Sequence, residues 1–466
     1  MKEQISTNHA IGCFSFDDLK QYKNIFVKLP QELKDIDNLF YARDDVTINL
    51  INEDFTSLKS ATETNYYNNV LKVINQLSNH NRKYNIKIEV DNRELFKKSN
   101  IINIIPSNIN LIINTNLKDE STHVEYDTDT YIKEEIKVEK LIKPIRDSNL
   151  SSFEKYIACY NLVKNFKAYR ENNENRKKAR ELRYILDDDN KYIVCVGFSN
   201  LLSLFLDKVG IPNTQIDVEV DTSYDHSDLQ DNIPIKNEGH RRNLVKIDDD
   251  KYNIHGYYIA DSTWDNKLGL DYYNNAVLTF EEKKEAHRLE GLTYIDLFFD
   301  FNNFEDFSNK INFFLRTNIS IDVQFNNKEE DGIIYAYKAL YRKILGILYY
   351  TDQKKYFEFY NKYKTIVDSH MNLKEMEPIV YNFLNEYASY IIPLSNNKIG
   401  MNKILDAACV VKKEISGYSD EEITDWLESV KIINRRKQKI EFPYNVKLND
   451  NIQARSEDLL EEIKKR

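Results

Sequence analysis

The sequence predicts an α+β protein in three parts, and three observations support this class. Strand-like and helix-like segments alternate over roughly the first quarter of the chain. A buried helix followed by a β-hairpin occupies the middle, and helical periodicity dominates the remainder. The predicted parts are an N-terminal α/β domain at 1–125, a central core at 126–318 and a C-terminal helical region at 319–466.

The composition fits a globular protein and excludes several other classes. A chain of 466 residues is too long for one ordinary domain, and its 41% hydrophobic residues suffice for packed cores. The formal charge of −10, without a basic cluster, argues against a nucleic-acid partner. The N-terminal residues lack a signal peptide, and no apolar run reaches the roughly 18 residues of a membrane span. We therefore expect a soluble, cytoplasmic protein without a membrane partner, although signal-independent export stays open.

The four cysteines lie far apart and form no C-x-x-C pair. This spacing argues against a disulfide framework and against a cysteine-based zinc site, and it favours a reducing compartment. Neither a phosphate-binding glycine loop nor an H-E-x-x-H motif occurs, so we expect no cofactor and no metal. The cysteines are Cys13, Cys159, Cys195 and Cys409.

The first part contains strand-like runs separated by one amphipathic helix. Residues 65–78 place apolar side chains at helical spacing, and the polar stretch 117–130 shows no periodicity, which is typical of a linker. The predicted strands are 22–30, 84–91 and 109–116. In the last part, the predicted helices are 328–350, 353–370, 372–392 and 419–438.

A helix is predicted to begin after Ser151, at the start of the central part. Glu154 follows three residues later, so the pair forms a capping box in which each side chain binds a backbone N–H. Apolar residues then line one face through Phe166. Cys159 lies in this helix, where we interpret it as an apolar filler.

The segment YIVCVGFSNLLSLFLDKVGIP (192–212) places Cys195 at the start of a buried helix. Gly210 and Pro212 are helix-stop signals at its far end. Backbone N–H groups at a helix N-terminus stabilise a thiolate and can also stabilise an oxyanion. The absence of a side chain at Gly197 leaves room for a substrate.

A β-hairpin is predicted over 239–259, with the acidic turn DDD near its middle. His240 begins the first strand, and Asp261 follows the second. A hairpin brings these two positions close together, so the spacing alone predicts a histidine base beside an orienting carboxylate.

The set C-x-G-F-x-x-L-L, G-H-x-x-N-L-V-K-I and D-S-T-W-D, in this order, resembles the transglutaminase-like superfamily, whose core is related to papain. The resemblance covers about 150–300. It implies that the cysteine opens a helix packed on an antiparallel sheet, with the histidine and aspartate on adjacent strands.

The resemblance implies a role for each matching residue. Cys195 is then the nucleophile, His240 the general base and later acid, and Asp261 the group that orients the imidazole. Arg242 stands where family members often carry an aromatic residue, and Ser262 where they often carry proline. We expect the arginines at 241 and 242 to line one edge of the site and to alter substrate choice.

Two further residues are candidates for supporting roles. Asn243 is expected to orient the strand or the substrate, and Trp264 to pack beneath the site. His255 is a rival base with poorer spacing to a carboxylate. The acidic stretch 217–231 is more typical of a solvated loop than of a calcium site, because it lacks the EF-hand pattern.

The predicted function is thiol-dependent acyl transfer on amide bonds of a protein or peptide substrate. We favour a hydrolytic enzyme, a protease or deamidase, over a cross-linking one. Two alternatives remain: a catalytically silent binding or scaffold module that keeps the fold, and a cross-linking or toxin-type effector. The flanking domains are expected to select the substrate or dock a protein partner.

Overall fold

The structure is a computed structural model, and it describes twelve stretches of the chain. They combine helices with a six-stranded, a three-stranded and a two-stranded sheet, consistent with the predicted α+β class. Among these residues, no helix is both long enough and apolar enough to cross a lipid bilayer. The described residues are 2–6, 19–29, 36–52, 63–116, 123–169, 179–221, 237–268, 273, 276–277, 330–368, 370–395 and 399–441.

The chain divides into two compact units. The first comprises Met1–Glu139 with Leu345–Lys362, and the second comprises Lys140–Ile344 with Tyr363–Arg466. The three-part division at 125 and 318 remains a prediction. Its second boundary lies outside the described residues.

A six-stranded sheet forms the first unit, and its strands follow one another in sequence order. Strands β1 to β5 run parallel, and β6 is antiparallel to β5. Along β4, buried residues alternate with half-buried ones, so one face is more deeply covered than the other. The strands are β1 (Lys2–Ser6), β2 (Tyr22–Leu29), β3 (Thr47–Asn52), β4 (Tyr84–Val90), β5 (Ile109–Asn116) and β6 (His123–Asp127).

Helices α1 and α2 of this unit connect neighbouring parallel strands, α1 between β3 and β4 and α2 between β4 and β5. Right-handed crossovers in a sequentially ordered sheet place such helices on the same face. The helices are α1 (Glu63–Ser78) and α2 (Arg93–Ser99), and short 3₁₀ turns occur at Asp37–Tyr41 and Ile101–Ile104.

The structure differs from the predicted linker at 117–130. Strand β6 covers His123–Asp127, and helix α3 covers Thr128–Arg146. Among the described strands, β6 ends the sheet beside β5, and the side chains of Glu125 and Asp127 are exposed there, so this strand can carry polar residues. Edge strands of this kind lack the apolar run by which a strand is recognised.

Helices α4 and α6 and a three-stranded antiparallel sheet form the part of the second unit that contains Cys195. The sheet order is β11–β10–β9, and helix α6 packs on β10. Strands β7 and β8 form a separate two-stranded parallel sheet in this part. The bounds are α4 (Ser152–Lys164), β7 (Ala168–Tyr169), α5 (Leu182–Ile185), β8 (Tyr192–Ile193), α6 (Cys195–Lys208), β9 (Asn213–Asp221), β10 (Asn237–Asp249), β11 (Ile254–Ala260) and α7 (Ser262–Leu268).

The capping box that the sequence predicts for α4 is confirmed. The Ser151 side chain accepts the Glu154 backbone N–H, and the Glu154 carboxylate accepts the Ser151 N–H. Asp249, at the end of β10, accepts the backbone N–H of Phe153 at 2.6 Å. The first turn of α4 is therefore attached to the end of the hairpin.

Helices make up the described part of the chain after residue 329. Helix α12 packs against α4, and α11 packs against β11. Helix α12 was not predicted from the sequence. The helices are α8 (Glu330–Thr351), α9 (Gln353–Tyr363), α10 (Thr365–Asp368), α11 (Leu373–Ser395), α12 (Met401–Ser416) and α13 (Asp420–Glu441).

Candidate active site

Cys195 is the first residue of α6, where the sequence predicted it. The N-cap is Val194 in an extended conformation, and its side chain supplies no hydrogen-bond acceptor. Nearly all of α6 beyond Cys195 is buried, so its apolar side chains fix the position of the helix. An apolar N-cap leaves the first-turn N–H groups to an anionic sulfur or oxyanion.

Gly197 allows the first turn of α6 to approach the preceding segment closely. A Cβ at this position would lie 2.5 Å from the carbonyl oxygen of Ala179 and 3.2 Å from the side chains of Ile185 and Ile193. The glycine is therefore required by packing beneath the cysteine. The sequence predicted a small residue here, but to admit substrate.

His240 and Asp261 are brought together by β10 and β11. The register pairs Asn243 with Ala260, so β10 extends beyond the end of β11, and Asp261 follows at that point. His240 Nε2 lies 2.7 Å from Asp261 Oδ2, which is fully buried, and the imidazole is about nine-tenths buried. This proximity of His240 and Asp261 was predicted from the hairpin in the sequence.

Asp261 has a second task as the residue that caps α7. Its other carboxylate oxygen, Oδ1, accepts the backbone N–H of Trp264 at 3.2 Å, the contact of an N-cap side chain with the third helical residue. The Tyr160 hydroxyl, on α4, lies 2.9 Å from the Asp261 carbonyl oxygen and 2.6 Å from the Asp265 carboxylate. These contacts fix the orientation of the carboxylate toward His240.

The Cys195 thiol and the His240 imidazole shift one another's pKa values. Burial tends to raise the pKa of the thiol, but the hydrogen bond and charge of His240, with the backbone N–H of Arg241, lower it below the ordinary value. Burial tends to lower the pKa of His240, but the charge and hydrogen bond of Asp261, together with those of Cys195, outweigh it and raise that pKa to about 9. The geometry thus favours a thiolate–imidazolium pair.

The other two described cysteines show the opposite behaviour. Burial raises the pKa of Cys159 well above its usual range, and it raises the pKa of Cys409 as well. Cys159 is fully buried in α4, as expected for an apolar filler. Of the three, Cys195 alone has a depressed pKa.

Trp264 lies edge-on to the His240 ring, with ring centroids 5.9 Å apart. Its indole nitrogen is 3.0 Å from His240 Nε2, the atom that also contacts Asp261. We assign the proton of Nε2 to the bond with Asp261, because that carboxylate is buried and the imidazole pKa is raised. Nδ1 then remains for the thiol, and Trp264 covers the histidine–carboxylate contact.

Arg242 is placed differently from the expectation that it lines one edge of the site. Its side chain is fully buried, and its Nε lies 3.6 Å from Asp261 Oδ2. The reason is strand alternation: His240 and Arg242 lie two residues apart and so point to one face of β10, toward Asp261.

Asn243 connects the sheet to α6. Its side-chain amide donates to the carbonyl oxygen of Ser199 at 3.0 Å, and the Ser199 hydroxyl donates to the carbonyl of Arg242 at 3.2 Å. This reciprocal pair of bonds holds the histidine strand against the cysteine helix, which is a positioning role.

The remaining sequence candidates do not join this cluster. His255 is partly exposed at the turn end of the hairpin, where it contacts Asp248. The acidic stretch 217–231 was predicted as a loop, but its residues 217–221 belong to strand β9, where they pair with β10, and the remainder lies outside the described residues. Within the part of the chain that the structure describes, no group of three or more His, Cys, Asp or Glu side chains is arranged to hold a metal ion.

Two contributors were not recognised from the sequence. Tyr160 orients the segment of Asp261, and the Arg241 backbone N–H contacts the thiol. Tyr160 lies about 100 residues from Asp261 in the chain, and no local pattern connects them. The contact of Arg241 comes from the main chain, which no residue type encodes.

The sequence matches no protein-family model, and no curated protein shows significant similarity to it.

Proposed function

We propose that this protein is a thiol-dependent acyl-transfer enzyme with a transglutaminase-like core, acting on amide bonds of a protein or peptide substrate. The observation that carries the proposal is the cluster of Cys195, His240 and Asp261, with a lowered thiol pKa and a raised imidazole pKa. Perturbed pKa values of this kind are typical of functional sites.

The first half of the reaction follows from the site. The Cys195 thiolate attacks the carbonyl carbon, a C–S bond forms, and the carbonyl electrons move to oxygen. First-turn N–H groups of α6 stabilise that oxyanion. When the intermediate collapses, the C–N bond breaks and the His240 imidazolium donates its proton to the leaving amine.

The second half regenerates the enzyme. Water attacks the thioester while neutral His240 accepts a proton from it, the C–S bond breaks, and the thiolate leaves paired with imidazolium. Asp261 stays ionised throughout and holds the ring so that Nδ1 faces the sulfur. With water as acceptor the products are a carboxylic acid and an amine.

The test is intact-mass spectrometry after incubation with a broad thiol-directed activity probe. We expect wild type to gain one label at Cys195 near pH 6.5, and Cys195→Ala to gain none. His240→Ala should label roughly tenfold more slowly for each unit that the thiol pKa rises. Cys409→Ala is the matched control and should label like wild type. Equal labelling of wild type and Cys195→Ala would reject Cys195 as the nucleophile.

The acceptor is determined by a second experiment. Candidate proteins are incubated with wild type or Cys195→Ala in ¹⁸O-water with and without an added primary amine. ¹⁸O in a new carboxyl group identifies hydrolysis, whereas attachment of the amine identifies transfer. If Cys195 is reactive but neither product forms across a proteome, a silent binding module becomes the better proposal.

A further inference from the structure

Arg242 brings a fourth charge to the site. It follows His240 by two residues on β10, and its guanidinium Nε lies 3.6 Å from Asp261 Oδ2. The same oxygen lies 2.7 Å from His240 Nε2. One buried carboxylate oxygen therefore faces two cationic groups when the imidazole is protonated.

The charges of these groups balance in both protonation states of the pair. With thiolate and imidazolium, the four groups Cys195, His240, Asp261 and Arg242 sum to zero, and with neutral thiol and imidazole they sum to zero again. Without the arginine, the remaining three groups would carry one net negative charge in each state, which costs free energy in a buried site.

The neighbouring elements carry further buried polar or charged groups, Asp265 on α7 and Tyr160 and Lys164 on α4. Arg241 follows His240 by one residue, so strand alternation turns its side chain to the opposite face of β10. The Tyr160 hydroxyl binds the Asp265 carboxylate and the Asp261 carbonyl, not the Asp261 carboxylate. Arg242 is thus the guanidinium that meets the oxygen used by His240.

Resting on the proposed function, we propose that Arg242 is a positioning residue that neutralises the Cys195–His240–Asp261 array and sets the pH range in which its thiolate exists. Arg242 does not contact substrate, because its side chain is fully buried. It acts through Asp261: it keeps the carboxylate ionised, and it competes with the imidazolium for the same oxygen.

Removal of a neighbouring cation raises the pKa of every group near it. In Arg242→Gln, the negative charge of Asp261 loses its guanidinium partner, so the pH at which Cys195 becomes half thiolate is expected to rise by about one pH unit. The pKa of His240 should rise as well. Arg242→Lys keeps the charge and should remain close to wild type.

The first experiment measures the rate of Cys195 alkylation by iodoacetamide from pH 4 to 10, together with the His240 titration by NMR of ¹³C-labelled histidine. Arg183→Gln is the control, because Arg183 is a partly exposed arginine of the same unit. The proposal predicts upward shifts in Arg242→Gln alone. Unchanged titration midpoints of Cys195 and His240 would overturn the proposal. A downward shift of the His240 titration would also overturn it, because a purely structural loss weakens the contact with Asp261 and thereby lowers the pKa of His240.

A stability measurement keeps the proposal testable if Arg242→Gln folds poorly. The double variant Arg242→Gln/Asp261→Asn removes both charges, so it should melt at a higher temperature than Arg242→Gln. A double variant that is no more stable would contradict charge balance. If Cys195 of the wild-type protein does not react with iodoacetamide, the proposed function is rejected. The comparison of melting temperatures would still decide the role of Arg242.

Discussion

At the residue scale, the site depends on close contacts around a few small or buried groups. Gly197 lies where any side chain would collide with the Ala179 carbonyl, and one carboxylate, Asp261, both caps α7 and binds His240. Substitutions at such positions change packing and chemistry together.

Gly197→Ala is expected to destabilise the second unit by about 1–3 kcal/mol, the usual cost of overpacking, and to slow Cys195 alkylation. The cause is the 2.5 Å approach of the new Cβ to Ala179. Thermal unfolding and alkylation rates measure both effects. Gly346→Ala is the matched control: its Cβ would meet nothing within 4 Å, and alanine favours a helix by about 0.5–1 kcal/mol. A Gly197→Ala protein as stable and as reactive as wild type would contradict the packing argument.

The sequence predicted the proximity of His240 and Asp261, because a hairpin brings nearby segments together, but it did not predict the register that pairs Asn243 with Ala260. The burial of Arg242 was not predicted. Alternation places it on the face of His240, but only the tertiary structure determines that this face is closed.

At the element scale, helix α4 packs beside the site, and several hydrogen bonds and an ion pair fix its N-terminus. Ser151 and Glu154 form the capping box, Lys251 and Tyr252 bind the Glu154 carboxylate, and Asp249 binds the first turn. Helix α4 also supplies Tyr160 to the segment of Asp261.

Ser151→Ala should destabilise α4 by about 1 kcal/mol, because an N-cap side chain is lost. Cys159, fully buried in this helix, reports its opening. Its alkylation should therefore accelerate roughly fivefold, the factor that corresponds to 1 kcal/mol. Ser152→Ala is the control, since the capping bond belongs to Ser151. Equal acceleration in both variants would mean that the cap does not limit opening.

Element prediction succeeded where caps and periodicity agree, as for α4 and for α6. It failed for α12 for two reasons. The N-cap of this helix is Gly400, which supplies no side-chain hydrogen bond, and its buried face includes Ala407 and Ala408, whose small side chains add little to a hydrophobic pattern. The order in which β1 to β5 pair was also not predicted, because no single segment of the sequence shows which other strand it pairs with.

At the scale of the whole molecule, the two compact units have different cores. The core of the first unit's sheet is built from residues between Leu19 and Tyr131. The association of 345–362 with the first unit could not be read from the sequence, because it joins segments about 200 residues apart.

Ile88→Ala should destabilise the first unit by about 2–5 kcal/mol, because Ile88 is fully buried in β4. The alkylation rate of Cys195 at 25 °C should stay unchanged, since the cysteine belongs to the second unit. Lys87→Ala, on the other face of β4, is the control and should change stability by about 0.5 kcal/mol or less. Slower or faster Cys195 alkylation in Ile88→Ala alone would show that the units are coupled.

The packing of α12 on α4 has a consequence for protein synthesis. The ribosome completes Cys195, His240 and Asp261 long before it reaches Met401–Ser416. At about 5–20 residues per second, the delay between Asp261 and Met401 is roughly 7 to 28 seconds. During that interval one side of α4 lacks the helix that covers it, α12. The nascent chain then contains Cys195, His240 and Asp261, but the helix packed beside them is only partly covered. The order of translation thus delays the fully supported site until α12 has been synthesised.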